Sequence, residues 1–335
     1  MKINELKVGA ILSYVVIGLS MAINLLYTPY LTRMLGQSEY GLYALVANII
    51  GYLTILDLGF GNAITVYTSK YLAKKDKEGE KKLHGMFLII YTFIGIIAGI
   101  AGSILCINVE NLFGKSMTVE ELSTAKVLMK VLTFNLVVTF PFSIFSSIIT
   151  AYEKFVFNKV INIIRIILTP MIMIPLLMMG YKSVALVILT TILNITCLVI
   201  NMVYCLTKLH IKFNFKGFDF KLLIEIFGYS FFIFLNTIID KINWSTDSFI
   251  LGTISGTTAV AIYSVGSSIN TIYLTLASTL NGILLPKLSK METNNATDEE
   301  FTDILIKTGR IQLIMLGLIV TGFIIFGKYF IQLLY

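Results

Sequence analysis

Nine stretches of this chain are long and apolar enough to cross a bilayer, near 8–31, 41–69, 86–107, 125–151, 157–179, 184–207, 222–252, 259–286 and 311–333. A hydrocarbon core takes about 20 such residues as a helix. Lipid offers no partners to backbone N–H and C=O groups, so only helices or closed barrels can span it. The runs show no polar–apolar alternation, which excludes a barrel. The expected fold is therefore all-α, a polytopic transmembrane helix bundle. Composition points the same way, with 56% hydrophobic residues, 13% charged and a mean hydropathy of +0.85. A soluble domain carries about a quarter charged residues to keep its surface wet.

Several functions are excluded early. Lys2 and Lys7 precede the first run, but it is too long for a signal core and has no small-x-small cleavage site. No GxxxxGK[ST] loop is present, so the chain does not itself hydrolyse nucleotide. Cys106, Cys197 and Cys205 lie inside apolar runs without metal-ligand spacing, and are expected simply to pack. His84 and His210 fall in basic stretches and read as solvated loop residues.

Basic residues set the orientation. With the N-terminus inside, 18 of the 26 Lys and Arg fall at or near the inner side and six at or near the outer, leaving Arg165 and Lys241 deeper inside the spans. Nine spans then place the last residue outside. The segment LHIKFNFKGFDFK, Leu209 to Lys221, alternates apolar with basic residues. It suits the inner headgroup zone.

Sliding the chain against itself by 220 residues aligns spans one and two with spans seven and eight without a gap. Leu31/Leu251, Gly36/Gly256, Tyr43/Tyr263, Ile49/Ile269, Leu56/Leu276, Ser69/Ser289 and Lys70/Lys290 are then identical. Both copies start inside, so the expected plan is two lobes about an axis along the membrane normal. The N-terminal six-helix lobe takes 1–207, a basic interfacial linker 208–221, and three helices of a partial second lobe 222–335. The chain is apolar to its end at FIQLLY, which gives the expectation of a C-terminally truncated protein.

Charge at bilayer depth is expensive unless paired or wet, so each polar residue within a span needs a reason. Span seven holds Asn236, Asp240, Asn243 and Asp247 at i, i+4, i+7 and i+11, one helical face, with Lys241 beside it. They read as a cavity wall where Lys241 meets an anionic headgroup and Asp240 and Asp247 bind a coupling cation, or as a buried Asp–Lys pair closing the bundle. Span five repeats the spacing with Asn158, Asn162, Arg165 and Thr169. Arg165 can grip phosphate bidentately or snorkel to the inner headgroups. Span eight carries Ser264, Ser268, Thr271, Thr275 and Ser278 on one face, for a sugar path or close helix packing. Asp57 lies before Gly59 and Gly61, either serving the cavity as a third coupling-ion candidate or bonding backbone groups that the glycines free. Arg33 and Glu39 flank the outer turn as an expected ion pair.

YLTRMLGQSEYGLYALVANIIGYLTILDLGFGNAITVYTSK, Tyr30 to Lys70, closely resembles the opening of polysaccharide repeat-unit flippases of the O-antigen, capsule and teichuronic-acid type. These belong to the multidrug/oligosaccharidyl-lipid/polysaccharide exporter superfamily. LTRxLGxxEYGLY followed by LDLGF is the specific part. AYEKF with Asn158 to Arg165, and TDSFILG before AIYSVG, resemble later segments. The resemblance implies a bacterial plasma-membrane transporter, not an enzyme, that moves undecaprenyl-diphosphate-linked oligosaccharides from the inner to the outer leaflet. It implies no cofactor beyond coupling Na+ or H+. Implied partners are the lipid-linked oligosaccharide, membrane lipids, the polysaccharide polymerase and chain-length proteins, and no nucleic acid. A cation-coupled drug exporter or peptidoglycan-precursor flippase of the same superfamily is the nearest alternative. A membrane-embedded glycosyltransferase or polymerase, or a non-transporting fragment, stands for other classes.

Overall fold

The computed structural model describes residues 5–216, 218–279 and 297–334. All regular elements in them are helical. They are α1 (Glu5–Leu35), α2 (Gln37–Tyr52), a 3-10 turn (Leu53–Asp57), α3 (Phe60–Lys74), α4 (Lys77–Ile107), the short α5 (Val109–Phe113) and α6 (Val119–Ala151). There follow α7 (Phe155–Met178), α8 (Ser183–Thr207), α9 (Phe220–Ile254), α10 (Gly256–Thr279) and α11 (Asp298–Leu334). Among the described residues, nine helical units are long and apolar enough to cross a membrane. The inner end of the eighth expected span, 280–286, lies outside the described residues, as does the side chain of Ser278. Phe93 is 64% exposed and Ile324 77% exposed on the outer surface of the bundle. Such an apolar exterior suits hydrocarbon as its solvent.

Helix α6 is the hub, packing against α2, α3, α4 and α8, while α1 lies along α7. One apolar cluster gathers Phe60, Tyr91, Phe140 and Ile144 with Ile226 of α9. A second gathers Leu42, Leu45, Leu128 and Met129 with Val260 of α10. The proposed halves of the chain therefore share their cores. In the linker, Ile211 and Phe213 turn inward onto the first cluster, whereas His210, Lys212 and Lys216 are exposed. Asn214 N–H donates to the Lys81 carbonyl at 3.0 Å and pins this segment under α4. Tyr152, in the turn between α6 and α7, donates to Glu80 at 2.5 Å. Burial, and then that carboxylate, push its phenol above the ordinary tyrosine range.

The second crossing is broken. At its middle the chain tightens into the 3-10 turn, and Leu58 (φ 53°) and Gly59 (φ 74°) both take the left-handed conformation. A side chain there costs about 1–2 kcal/mol, so the turn must be held from outside. Asp57 does so, accepting from the backbone N–H groups of Gly59 and Gly61 and from the Tyr91 hydroxyl at 2.7 Å. Of the two readings of Asp57, bonding the backbone freed at the break is the one its geometry realises.

Both turns matched by the 220-residue offset bend at a left-handed glycine, Gly36 at φ 81° and Gly256 at φ 80°. The likeness stops at the break, because α10 runs on helically through 273–277, the positions opposite Leu53–Asp57. At this end of the bundle the Glu121 carboxylate accepts from Ser38 (2.5 Å) and Thr257 (2.7 Å) through one oxygen. The other oxygen accepts from the Thr118 N–H at 2.8 Å. The starts of α2, α6 and α10 thus meet on a single side chain.

Two expectations are corrected. His84 is no solvated loop residue: it is fully buried on α4, with Nε2 3.1 Å from the Thr68 hydroxyl and its ring against Phe213. Asp76 caps α4 by accepting from the Gly79 N–H, so the helix starts nine residues before the apolar run at 86 and carries His84 inward. Arg33 and Glu39 do not pair. Glu39 instead accepts from the Ser183 hydroxyl (2.5 Å) and N–H (3.3 Å) at the start of α8, and Arg33 donates to the Leu333 carbonyl at 2.6 Å.

Candidate functional site

Two cavities lined largely by polar side chains lie among the crossings. The first, about 580 Å3, lies within the first six crossings, between α1, α6, α7 and α8. The i, i+4, i+7 spacing of Asn158, Asn162 and Arg165 turns one face of α7 into it. Arg165 sits ten residues into α7, about 15 Å along its axis. Its guanidinium donates to Asn162 Oδ1 at 3.0 Å and to Asn194 Oδ1 at 3.2 Å. Asn194 is held in turn, donating to Asn135 Oδ1 at 2.8 Å and Thr139 Oγ1 at 2.9 Å. The guanidinium is thereby oriented by neutral amides, and among the described residues no carboxylate pairs with it. Lys159 lines the same cavity. Asn201, 8% exposed, presents there an Oδ1 with no hydrogen-bond partner among the described residues.

The second cavity, about 340 Å3, lies at the seam between α2, α9 and α10. Its lining includes Ala44, Ala47 and Asn48 of α2 and Ser264, Ser267 and Ser268 of α10. These are three pairs at the 220-residue offset, so equivalent faces of the two helices enclose it. Helix α9 closes it with Trp244, Ser245 and Ser248. No charged residue lines it.

Lys241 is half-buried on the seam face of α9, one turn before Ser245. Its amine points at Gly51, where an added Cβ would lie 3.6 Å from Nζ, and it forms no ion pair among the described residues. Asn236, Asp240, Asn243 and Asp247 form the expected stripe, but all four are exposed, and Asp247 accepts from the Tyr263 hydroxyl at 2.5 Å. The structure does not bring Arg165 and Lys241 into one cavity. It does not gather Asp57, Asp240 and Asp247 either, and no cluster of three or more metal-type ligands occurs among the described residues. Sequence reasoning missed Asn194, Asn201, Trp244, Ser245 and Ser248. A signal for Ser245 and Ser248 was present: with Gly252 they follow Lys241 at i+4, i+7 and i+11, a stripe one residue along from the chosen one.

This arrangement is the fold of a known transporter class. An inward-facing multidrug resistance MATE family transporter of the MOP superfamily aligns over 95% of this chain and 71% of its own, with TM-score 0.69 and 15% identity. A MOP superfamily transporter from Pyrococcus furiosus aligns over 97% and 73%, with TM-score 0.66 and 15% identity. A MATE in complex with MaD3S aligns over 79% and 62%, with TM-score 0.56 and 14% identity. No curated protein matches the chain in sequence. The molecule is thus a multi-pass membrane protein built on the MOP transporter fold. It belongs to the polysaccharide biosynthesis protein family, whose model matches residues 6–292.

Proposed function

We propose that this protein is a flippase that moves undecaprenyl-diphosphate-linked oligosaccharide repeat units from the inner to the outer leaflet of the bacterial plasma membrane, with its N-terminus inside. The observation that carries the reading is Arg165, a guanidinium held by two amide oxygens in a polar cavity with no carboxylate partner among the described residues. A fixed, uncompensated cation at that depth is costly unless an anion or water offsets it, and its planar fork matches phosphate oxygens. Lys241, without an ion-pair partner among the described residues, supplies a second cation along the path at the seam. Membership of the polysaccharide biosynthesis family supports a glycan cargo. A cationic drug would meet two like charges and is disfavoured. Asp240 and Asp247, exposed on α9, remain the coupling-ion candidates for Na+ or H+.

The test replaces the native gene with variants and measures both surface polysaccharide and the lipid-linked intermediate retained inside. Arg165→Ala with Lys241→Ala is expected to stop display and accumulate the intermediate while the protein stays inserted and abundant. Normal display in that double variant overturns the reading. Orientation is checked separately, in a background lacking the native cysteines. Cysteines at 74–82 or 212–217 should be shielded from an impermeant thiol reagent in intact cells, and those at 111–118 or 254–257 labelled.

A further inference from the structure

The seam cavity differs from the first in kind. Ser245 is 6% exposed and Ser248 2% exposed, yet neither hydroxyl has a hydrogen-bond partner among the described residues, and both line the cavity. The Ser264 hydroxyl is also unpartnered among them, and its oxygen is fully sequestered. Across the gap the Asn48 amide has no partner among the described residues. Buried polar side chains are overwhelmingly satisfied, so three serine hydroxyls that converge from α9 and α10 without partners mark a place where something else completes the bonds.

The chemistry of that something is constrained. With no charged residue in the lining, neither an anion nor a cation gains an electrostatic partner there. Hydroxyls and an amide both donate and accept, which suits a ligand bearing hydroxyls of its own. Trp244 adds a flat apolar face beside them, against which the C–H face of a ring can pack. Uncharged, hydroxyl-rich and apolar on one face describes a pyranose. Lys241 lies one helical turn before Ser245, about 5 Å along α9, where the phosphate of a linked headgroup would follow.

We propose that the seam cavity is the saccharide subsite of the cargo, seating one uncharged sugar ring between the Trp244 indole and the hydroxyls of Ser245 and Ser248. This rests on the glycolipid reading above and adds to it a division of labour. Arg165 and Lys241 attract the phosphates, and the seam selects the sugar. Small residues on α2 and α10 serve here as the walls of a site as well as a packing surface.

Trp244 is the chain's one tryptophan, so intrinsic fluorescence of the purified full chain reports on this cavity without a label. Free hexoses, N-acetylhexosamines and 6-deoxyhexoses are titrated singly against an osmolarity-matched glycine betaine control. At least one is expected to give a saturable change in Trp244 emission. Its half-saturating concentration should rise about tenfold in Ser245→Ala with Ser248→Ala, through two lost hydrogen bonds, and stay unchanged in Arg165→Ala. Inorganic pyrophosphate should leave the emission unchanged. No saturable response to any sugar, or a response that the serine variants leave intact, overturns the subsite. If sugars saturate while Arg165→Ala with Lys241→Ala exports normally, the subsite stands and the headgroup reading fails. If export stops in that double variant but Trp244 ignores every sugar, the reverse holds.

Discussion

The two cavities lie in the same bundle yet are built on opposite principles. In the first, a charged group is held rigidly: Arg165 is gripped by Asn162 and Asn194, and Asn194 by Asn135 and Thr139. At the seam, the hydroxyls of Ser245, Ser248 and Ser264 have no partner among the described residues and no charge lines the walls. A preformed network orients its cation before anything arrives, whereas an unsatisfied one gains most when a ligand supplies the missing partners. The first lies within one set of crossings, and the second between helices from both sides of the repeat. Occupancy of the second alone therefore bears directly on how α2, α9 and α10 meet.

The largest expected effect separates the two. Arg165→Ala with Lys241→Ala should lower export by tenfold or more (about 1.4 kcal/mol or more), read as lipid-linked glycan retained inside. Arg165→Lys should also impair it, because one ammonium cannot bridge both Asn162 and Asn194 in the same plane. Full activity in Arg165→Lys would mean that fork geometry is irrelevant and the first cavity is only a diffuse positive field.

Next in size is Asn194→Leu, which removes one of the two acceptors of the guanidinium and the donor to Asn135 and Thr139 together. A stability loss of about 2–3 kcal/mol is expected, measured as a lower unfolding midpoint in detergent. An unchanged midpoint would show that the network holds nothing rigid, and the contrast with the seam would vanish.

How much of this was legible in the chain depends on what helical periodicity encodes. The crossings, the polar face of α7 and the glycine turns at Gly36 and Gly256 were readable, because spacing tells which residues share a face. It does not tell which face meets a neighbour. On α9 the more polar stripe, Asn236 to Asp247, attracts attention, but the structure turns the adjacent stripe of Lys241, Ser245, Ser248 and Gly252 to the seam. Asn194 was invisible for a related reason: its partners sit on α6 and α7, and only packing brings three helices together. His84 was misjudged because an N-cap at Asp76 extends α4 beyond its hydrophobic run.

A smaller effect sharpens the comparison from the seam side. Ser248→Val removes a buried hydroxyl that has no partner among the described residues, at the cost of a modest gain in volume. Stability should stay within about 0.5 kcal/mol of the parent, or rise. The opposite sign from Asn194→Leu is the point of the pair. A loss as large as that of Asn194→Leu would reveal a hydrogen bond at Ser248 and remove it from the unsatisfied set.

The smallest expected change in function is at Glu121, where α2, α6 and α10 meet. Glu121→Gln keeps an acceptor oxygen for Ser38 and Thr257 but weakens a charge-assisted set to neutral bonds, for about 1 kcal/mol of stability. Export should change less than twofold, read by the same retained intermediate.

That carboxylate also ties three helices at one point. The starts of α2, α6 and α10 lean on one side chain, so any motion that parts α2 from α10 here must take Glu121 from at least one of them. Leu42 and Leu45 of α2 meet Val260 of α10 in the same apolar cluster, so the polar tie works as a latch on a hinge that hydrocarbon contacts already hold, and loosening the latch alone leaves the door in its frame.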